Sequence, residues 1–228
     1  MGTRTRITRK SLKHDALLET TAKGTKFIEQ HLNKVLVAVA VLAVVAVVAI
    51  MVMRGQRTTE LAANAELVSA SQTAGAGLLA QASQQYQAII DTYPGTRSAG
   101  AATCYLGTIH FQQGDYDQAL QRFQDYLDHF GKSGNLGRVA LEGQASVLEQ
   151  RRDFAAAADI YRQLADQAKG QNTTVARYLS DAMRCYRSAS DWASVRTTAT
   201  QIVDGYQGTP SETDARTMLA EADAHLGM

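Results

Sequence analysis

The chain has 228 residues, 45% of them hydrophobic and 20% charged, with two prolines and two cysteines. That length accommodates one or two domains with a sizeable core, and two cysteines exclude both a disulfide-rich scaffold and a four-thiolate zinc module. A formal net charge of +1 provides no overall field for nucleic acid, but it hides a split between a basic head, residues 1–34, and an acidic remainder.

In the head, eight Lys/Arg face Asp15, Glu19 and Glu29. Leu12, Leu17, Phe27, Ile28 and Leu32 set a loose apolar pattern that Gly24 breaks. Two readings stand. The head is an amphipathic helix resting on anionic lipid, with Lys13, Lys23 and Lys26 on its polar side, or a tail whose charge sets topology.

From Val35 to Met53 every residue is Val, Ala, Leu, Ile or Met. A helix of that length spans about 28 Å, close to the roughly 30 Å hydrocarbon core of a bilayer. Lys34 stops the run on one side, Arg54 and Arg57 on the other. The spacing predicts a transmembrane helix over 35–53. The excess of basic residues before it places the N-terminus in the cytoplasm and the C-terminal part across the membrane. A cleaved secretory signal fits less well, because the basic lead is too long for an n-region. The sequence Ala63-Asn64-Ala65, which imitates a cleavage site, also lies ten residues beyond Met53.

Residues 54–228 form the third segment. Ala, Gln, Leu, Arg, Asp and Glu dominate it, favouring helix throughout. Turn signals recur at Tyr93-Pro94-Gly95, Gln113-Gly114-Asp115, Gly131 to Gly134, Lys169-Gly170-Gln171-Asn172 and Gly208-Thr209-Pro210. Three series then fall in register. A small residue recurs as Ala82, Ala119, Ala157 and Val195. A large aromatic four positions later recurs as Tyr86, Phe123 and Tyr161 before Ala199 departs. A turn aromatic recurs as Tyr116, Phe154 and Trp192. The period of 37–38 residues is that of a helical repeat, with a non-repetitive helical bundle as the competing reading.

Leu106-Gly107, Gly114, Tyr116, Ala119, Phe123 and Leu127 carry a specific signature. This unit resembles the tetratricopeptide repeat: Gly107 for close helix approach, Gly114-Asp115 for the turn, Ala119 where the helices cross. The expectation is therefore an all-α chain, a transmembrane helix followed by a solenoid of antiparallel helix pairs. Four repeats are expected near 59–96, 98–134, 136–171 and 173–209. A capping helix should follow at about 211–226, with Ser211 as N-cap and Asp214 at the capping-box position. The first unit is the weakest copy, and its first helix reads equally as a long helix leading out of the membrane.

The solenoid implies a partner groove lined by first helices. Its members would be Cys104, Thr108 and Phe111, then Glu142, Ser146 and Glu149, then Arg177, Arg184 and Arg187. The seven-residue spacing of Glu142 and Glu149, and of Arg177 and Arg184, puts each set on one helix face. An acidic patch beside a basic one would orient an extended peptide; the plainer reading is that these charges solvate an exposed surface. Cys104 and Cys185, two repeats apart, are expected to be too distant for a disulfide. The five histidines show no metal-pair spacing, and no phosphate loop or nucleophile elbow is present. No catalytic, cofactor or metal residue is assigned, and His110 reads as a packing residue.

The layout as a whole resembles the YfgM-like single-pass proteins of the bacterial inner membrane, which carry tetratricopeptide repeats. That resemblance implies an inner-membrane location with a periplasmic repeat domain. It also implies partners among the Sec translocon and periplasmic chaperones, and a role as a protein–protein interaction scaffold for exported proteins. The alternative is a fixed structural subunit of a large cell-envelope complex.

Overall fold

The structure, a computed structural model, describes residues 32–228; both readings of the head fall on residues outside the described ones. Among the described residues the chain is all helix and turn, with no strand, as its composition predicts. The helices are α1 (Leu32–Gly75), α2 (Leu79–Thr92), α3 (Arg97–Gln112), α4 (Tyr116–Phe130), α5 (Gly134–Gln150), α6 (Phe154–Gln167), α7 (Asn172–Ser188), α8 (Trp192–Gly205) and α9 (Ser211–Leu226). The chain divides into two compact units at Thr58/Thr59, within α1.

In the first unit the apolar run lies on α1. Its large side chains from Leu36 to Met53 are all exposed. Among the described residues this is the one helix long and apolar enough to cross a membrane.

In the second unit, Thr59–Met228, helices pack in sequence order as antiparallel pairs. α4 packs on α3 and α5, α6 on α5 and α7, and α8 on α7 and α9. First helices also meet across a repeat, α3 with α5 and α7 with α9. The small residues of the second helices, Ala82, Ala119, Ala157 and Val195, have no exposed surface. The aromatics Tyr86, Phe123 and Tyr161 are buried one turn further on. Two cores result. Ala70 of α1, with Ala82, Tyr86 and Ile89 of α2, packs on Ala102, Leu106 and Ile109 of α3. A larger core runs from Cys104 and α4 to Ala222 of α9. α3 thus buries two faces, which explains its run of Ser, Ala, Gly and Thr from Ser98 to Thr103.

The turns within the second, third and fourth pairs share one design. Gly114, Arg152 and Ser190 all have positive φ (78°, 63° and 58°). The next residue is aspartate each time, and Asp115, Asp153 and Asp191 accept from the amides of Gln118, Ala156 and Ser194 at 3.3, 3.4 and 3.1 Å. These carboxylates satisfy orphan donors at the start of each second helix. The left-handed residue costs Arg152 and Ser190 about 1–2 kcal/mol that Gly114 avoids. The closing turn of α8 differs from expectation. Pro210 occupies the N-cap position of α9 with no side-chain cap, so Ser211 is not the cap. Instead Glu212 reaches back to accept from the Gly208 amide at 2.6 Å.

Phe123 holds the second and third pairs together. A Cβ on Gly107 of α3 would stand 3.0 Å from its ring, and one on Gly143 of α5 only 2.3 Å. Gly143→Ala should therefore destabilise the protein by about 1–3 kcal/mol through overpacking, read as a lower thermal midpoint by circular dichroism in detergent. Adding Phe123→Leu should recover part of that loss, whereas Phe123→Leu alone should destabilise. A Gly143→Ala midpoint equal to wild type would refute the wedge.

A charged face across three first helices

The nine residues expected to line a groove divide into two groups. Those of α3 are committed to packing. Cys104 has no exposed surface and its Sγ lies 3.8 Å from the Leu136 carbonyl of α5. It is a core residue and not part of a groove, because it occupies the face of α3 turned toward α5. Thr108 is half-buried and donates its hydroxyl to the Cys104 carbonyl at 3.1 Å. Phe111 meets Tyr116 across the turn in a tilted ring pair, with centroids 5.7 Å apart.

The residues of α5 and α7 come together, but as cross-paired charges and not as separate patches. Arg177 donates to Glu142 at 3.0 Å, and Tyr178 donates to the same carboxylate oxygen. Arg184 donates through both terminal nitrogens to Glu149, one of them at 3.1 Å. Tyr161 of α6 donates to Glu149 at 2.7 Å. Arg187 donates through Nε and Nη2 to Glu221 of α9, at 3.1 and 3.0 Å. Ser146 donates back to the Glu142 carbonyl at 2.8 Å. Asp181, which the sequence reading missed, sits between Arg177 and Arg184 at 3.5 and 3.6 Å.

Exposure is unequal within each pair. The Arg177, Arg184 and Arg187 side chains are 52, 53 and 49% exposed, while Glu149 is 15% exposed. Each guanidinium carries five donors in a planar fork. Arg187 spends one edge on Glu221, whereas Arg177 and Arg184 are each held by two carboxylates and share Asp181. The carboxylates thus orient a row of half-exposed arginines whose remaining donors can take further acceptors. Glu149 feels burial, which raises its carboxyl pKa, but bonds from Arg184 and Tyr161 outweigh it and hold it below the usual range. At Asp181 burial prevails over the two arginines and pushes the carboxyl up.

Cys185 is also fully buried, and both cysteines are free. Burial pushes each thiol up to about 12. Among the described residues no group of His, Cys, Asp and Glu is arranged to hold a metal ion.

The tetratricopeptide-repeat profile matches residues 74–135 and 106–172, and the helix pairs of the second unit form a tetratricopeptide-like solenoid. A tetratricopeptide repeat protein from Parabacteroides merdae is similar in structure over 72% of this chain, at 16% identity and a TM-score of 0.59. This chain spans 60% of the length of that protein. TPR-like repeats of a kinesin light chain from Podospora anserina match 72% of this chain and 86% of theirs, at 11% identity and a TM-score of 0.53. Both likenesses concern the fold. No curated protein matches the sequence.

Two outcomes follow from the geometry. Arg184→Gln removes the partner of a largely buried carboxylate and should cost about 1–2 kcal/mol at neutral pH. Glu149, with its lowered pKa, contributes stability above the ordinary carboxylate range and loses it as pH falls through its folded value. The raised Asp181 acts in the opposite sense, gaining stability as it protonates. The difference between wild type and Arg184→Gln should therefore shrink below about pH 4, as chemical denaturation across pH would show; a pH-independent difference would refute the pairing. Second, both thiols should resist a maleimide in the folded protein and react within minutes in denaturant. Rapid labelling of the folded chain would contradict the burial of Cys104 and Cys185.

Proposed function

We propose that this chain is a membrane-tethered adaptor. The apolar run of α1 spans a bilayer once, the N-terminus is cytoplasmic, and the repeat unit, across the inner membrane in the periplasm, holds other polypeptides. The observation that carries the binding part is the arginine row: Arg177, Arg184 and Arg187 are half-exposed, each is fixed by a carboxylate, and each keeps donors unspent. Rigid donors lose little entropy when a partner binds, so carboxylate side chains or backbone carbonyls of an extended segment fit this face. Glu142, Ser146 and Glu149 serve it by positioning. The exposed apolar run supports the tether, and the distribution of basic residues supports the orientation.

The resemblance to YfgM-like proteins favours partners among the translocon and periplasmic chaperones, with a scaffolding role for exported proteins. The chemistry required is binding alone, and no residue is assigned to catalysis.

Affinity capture from solubilised membranes tests the reading. The wild-type chain should retain substoichiometric partners that salt removes. Arg184→Gln and Arg187→Gln should reduce capture by about tenfold or more, while Arg216→Gln, which alters a pair within α9, should leave it unchanged. Equal capture by all variants would refute the arginine row. A single stoichiometric, salt-resistant assembly would show a fixed complex subunit instead. A phosphatase fused at the C-terminus should be active outside the cytoplasm; an inactive fusion of normal abundance would reverse the topology.

A further inference from the structure

A second cationic site adjoins the arginine row, with Tyr178 common to both. Two adjoining hollows, of about 670 and 370 Å³, share the turn Ser133-Gly134-Asn135 that leads into α5. Arg97, at the start of α3, lines the larger. Arg138, one turn into α5, lines the smaller.

These two arginines differ from most others in the repeat unit. Seven arginines there are ion-paired with a carboxylate; Arg97 and Arg138 are not, although both are exposed. No Asp or Glu lines either hollow. The nearby Glu60 is spent on the main chain, accepting from the amides of Arg97 and Ser98 at 2.9 and 3.1 Å and from the Ser98 hydroxyl at 2.8 Å. The remaining polar lining is neutral: Ser133, Asn135, Gln167, Gln171 and Thr174 are able to donate, and Tyr178 gives its hydroxyl to Glu142, the carboxylate that Arg177 pairs with. One wall of the larger hollow is aromatic, formed by Tyr126 and Phe130 stacked with ring centroids 5.3 Å apart.

Arginines with no carboxylate among the lining residues favour an anion, and two guanidinium forks with neutral donors around them suit the several acceptor oxygens of phosphate. The hollows are larger than a phosphate group alone, and the aromatic wall offers a surface to carbon. We propose that the two hollows form one site for a phosphate ester, its phosphate held by Arg97 and Arg138 and its organic part lying against Tyr126 and Phe130. A phospholipid headgroup and a soluble phosphate ester present this same chemistry.

Calorimetric titration of the full chain in nonionic detergent separates the outcomes, with glycerol 3-phosphate, short-chain phosphatidylglycerol, short-chain phosphatidylcholine and a glutamate-rich peptide as probes. The site predicts saturable binding of at least one of the first two, weakened about tenfold or more by Arg97→Gln combined with Arg138→Gln. Arg152→Gln, an unpaired arginine in the turn between α5 and α6, should have no effect. Both substituted side chains are exposed, and an unchanged circular dichroism melt of the double variant confirms that only the site is lost. Tighter binding of phosphatidylglycerol than of glycerol phosphate and phosphatidylcholine identifies a lipid headgroup; the reverse order identifies a soluble ester. Absence of saturable phosphate binding, binding unaffected by the double variant, or tighter binding of the acidic peptide would each overturn the proposal.

Discussion

The repeat unit depends on a benzene ring held between two glycines. Phe123 is large enough to fill the space where three helices meet, and that space exists because Gly107 and Gly143 have no side chains. Each glycine weakens its own helix by roughly 1 kcal/mol relative to alanine, and burial of the ring, worth about 1.5–3 kcal/mol, offsets this. The contact also sets the offset between successive pairs. α3 and α5 approach closely only where both can admit the same ring, so the second and third pairs have one register available to them.

Upon that frame the charges are arranged by repetition. Glu142 meets Arg177 and Glu149 meets Arg184 because each carboxylate reaches the arginine about one helical turn before its equivalent position on the next first helix. The carboxylates sit deeper than the guanidiniums and are tied by tyrosines, Tyr178 for Glu142 and Tyr161 for Glu149. Depth matters for the energetics. A fully exposed pair contributes little, while a buried pair incurs a desolvation cost that can exceed its attraction. A half-buried pair keeps its acid end fixed and its basic end wet, an arrangement suited to recognition more than to stability.

Much of this was legible in the sequence. The apolar run showed itself by length alone, and the helix pairs by the recurrence of Ala82, Ala119, Ala157 and Val195 with aromatics four positions on. Both signals reflect simple constraints, the unbroken apolar surface of one long helix and the room at a helix crossing. Cys104 was misplaced because a groove position inferred from one helix face ignores the neighbouring first helix that covers it. The cross-pairing was missed although its signal is present: Glu142 and Arg177 are 35 residues apart, as are Glu149 and Arg184, close to one repeat. Asp115, Asp153 and Asp191 recur at 38 residues and could have marked the within-pair turns of the second, third and fourth pairs. The left-handed backbone at Arg152 and Ser190 had no such signal, since only at Gly114 does the residue type announce the conformation. The hollows around Ser133 depend on which arginines lack a partner, a property of the folded surface that no local pattern records.

The separate core of the first pair has a mechanical consequence. Its cluster of seven buried residues adjoins a continuous one that runs through the other three pairs and α9, and its turn has no aspartate cap, Leu78 standing at the position without a side-chain bond. A linear array of unequal, nearest-neighbour couplings melts from its weaker end. Local opening of this protein therefore starts at α1 and α2 and stops at α3, leaving the Phe123 junction and the arginine row intact while the leading hairpin is loose.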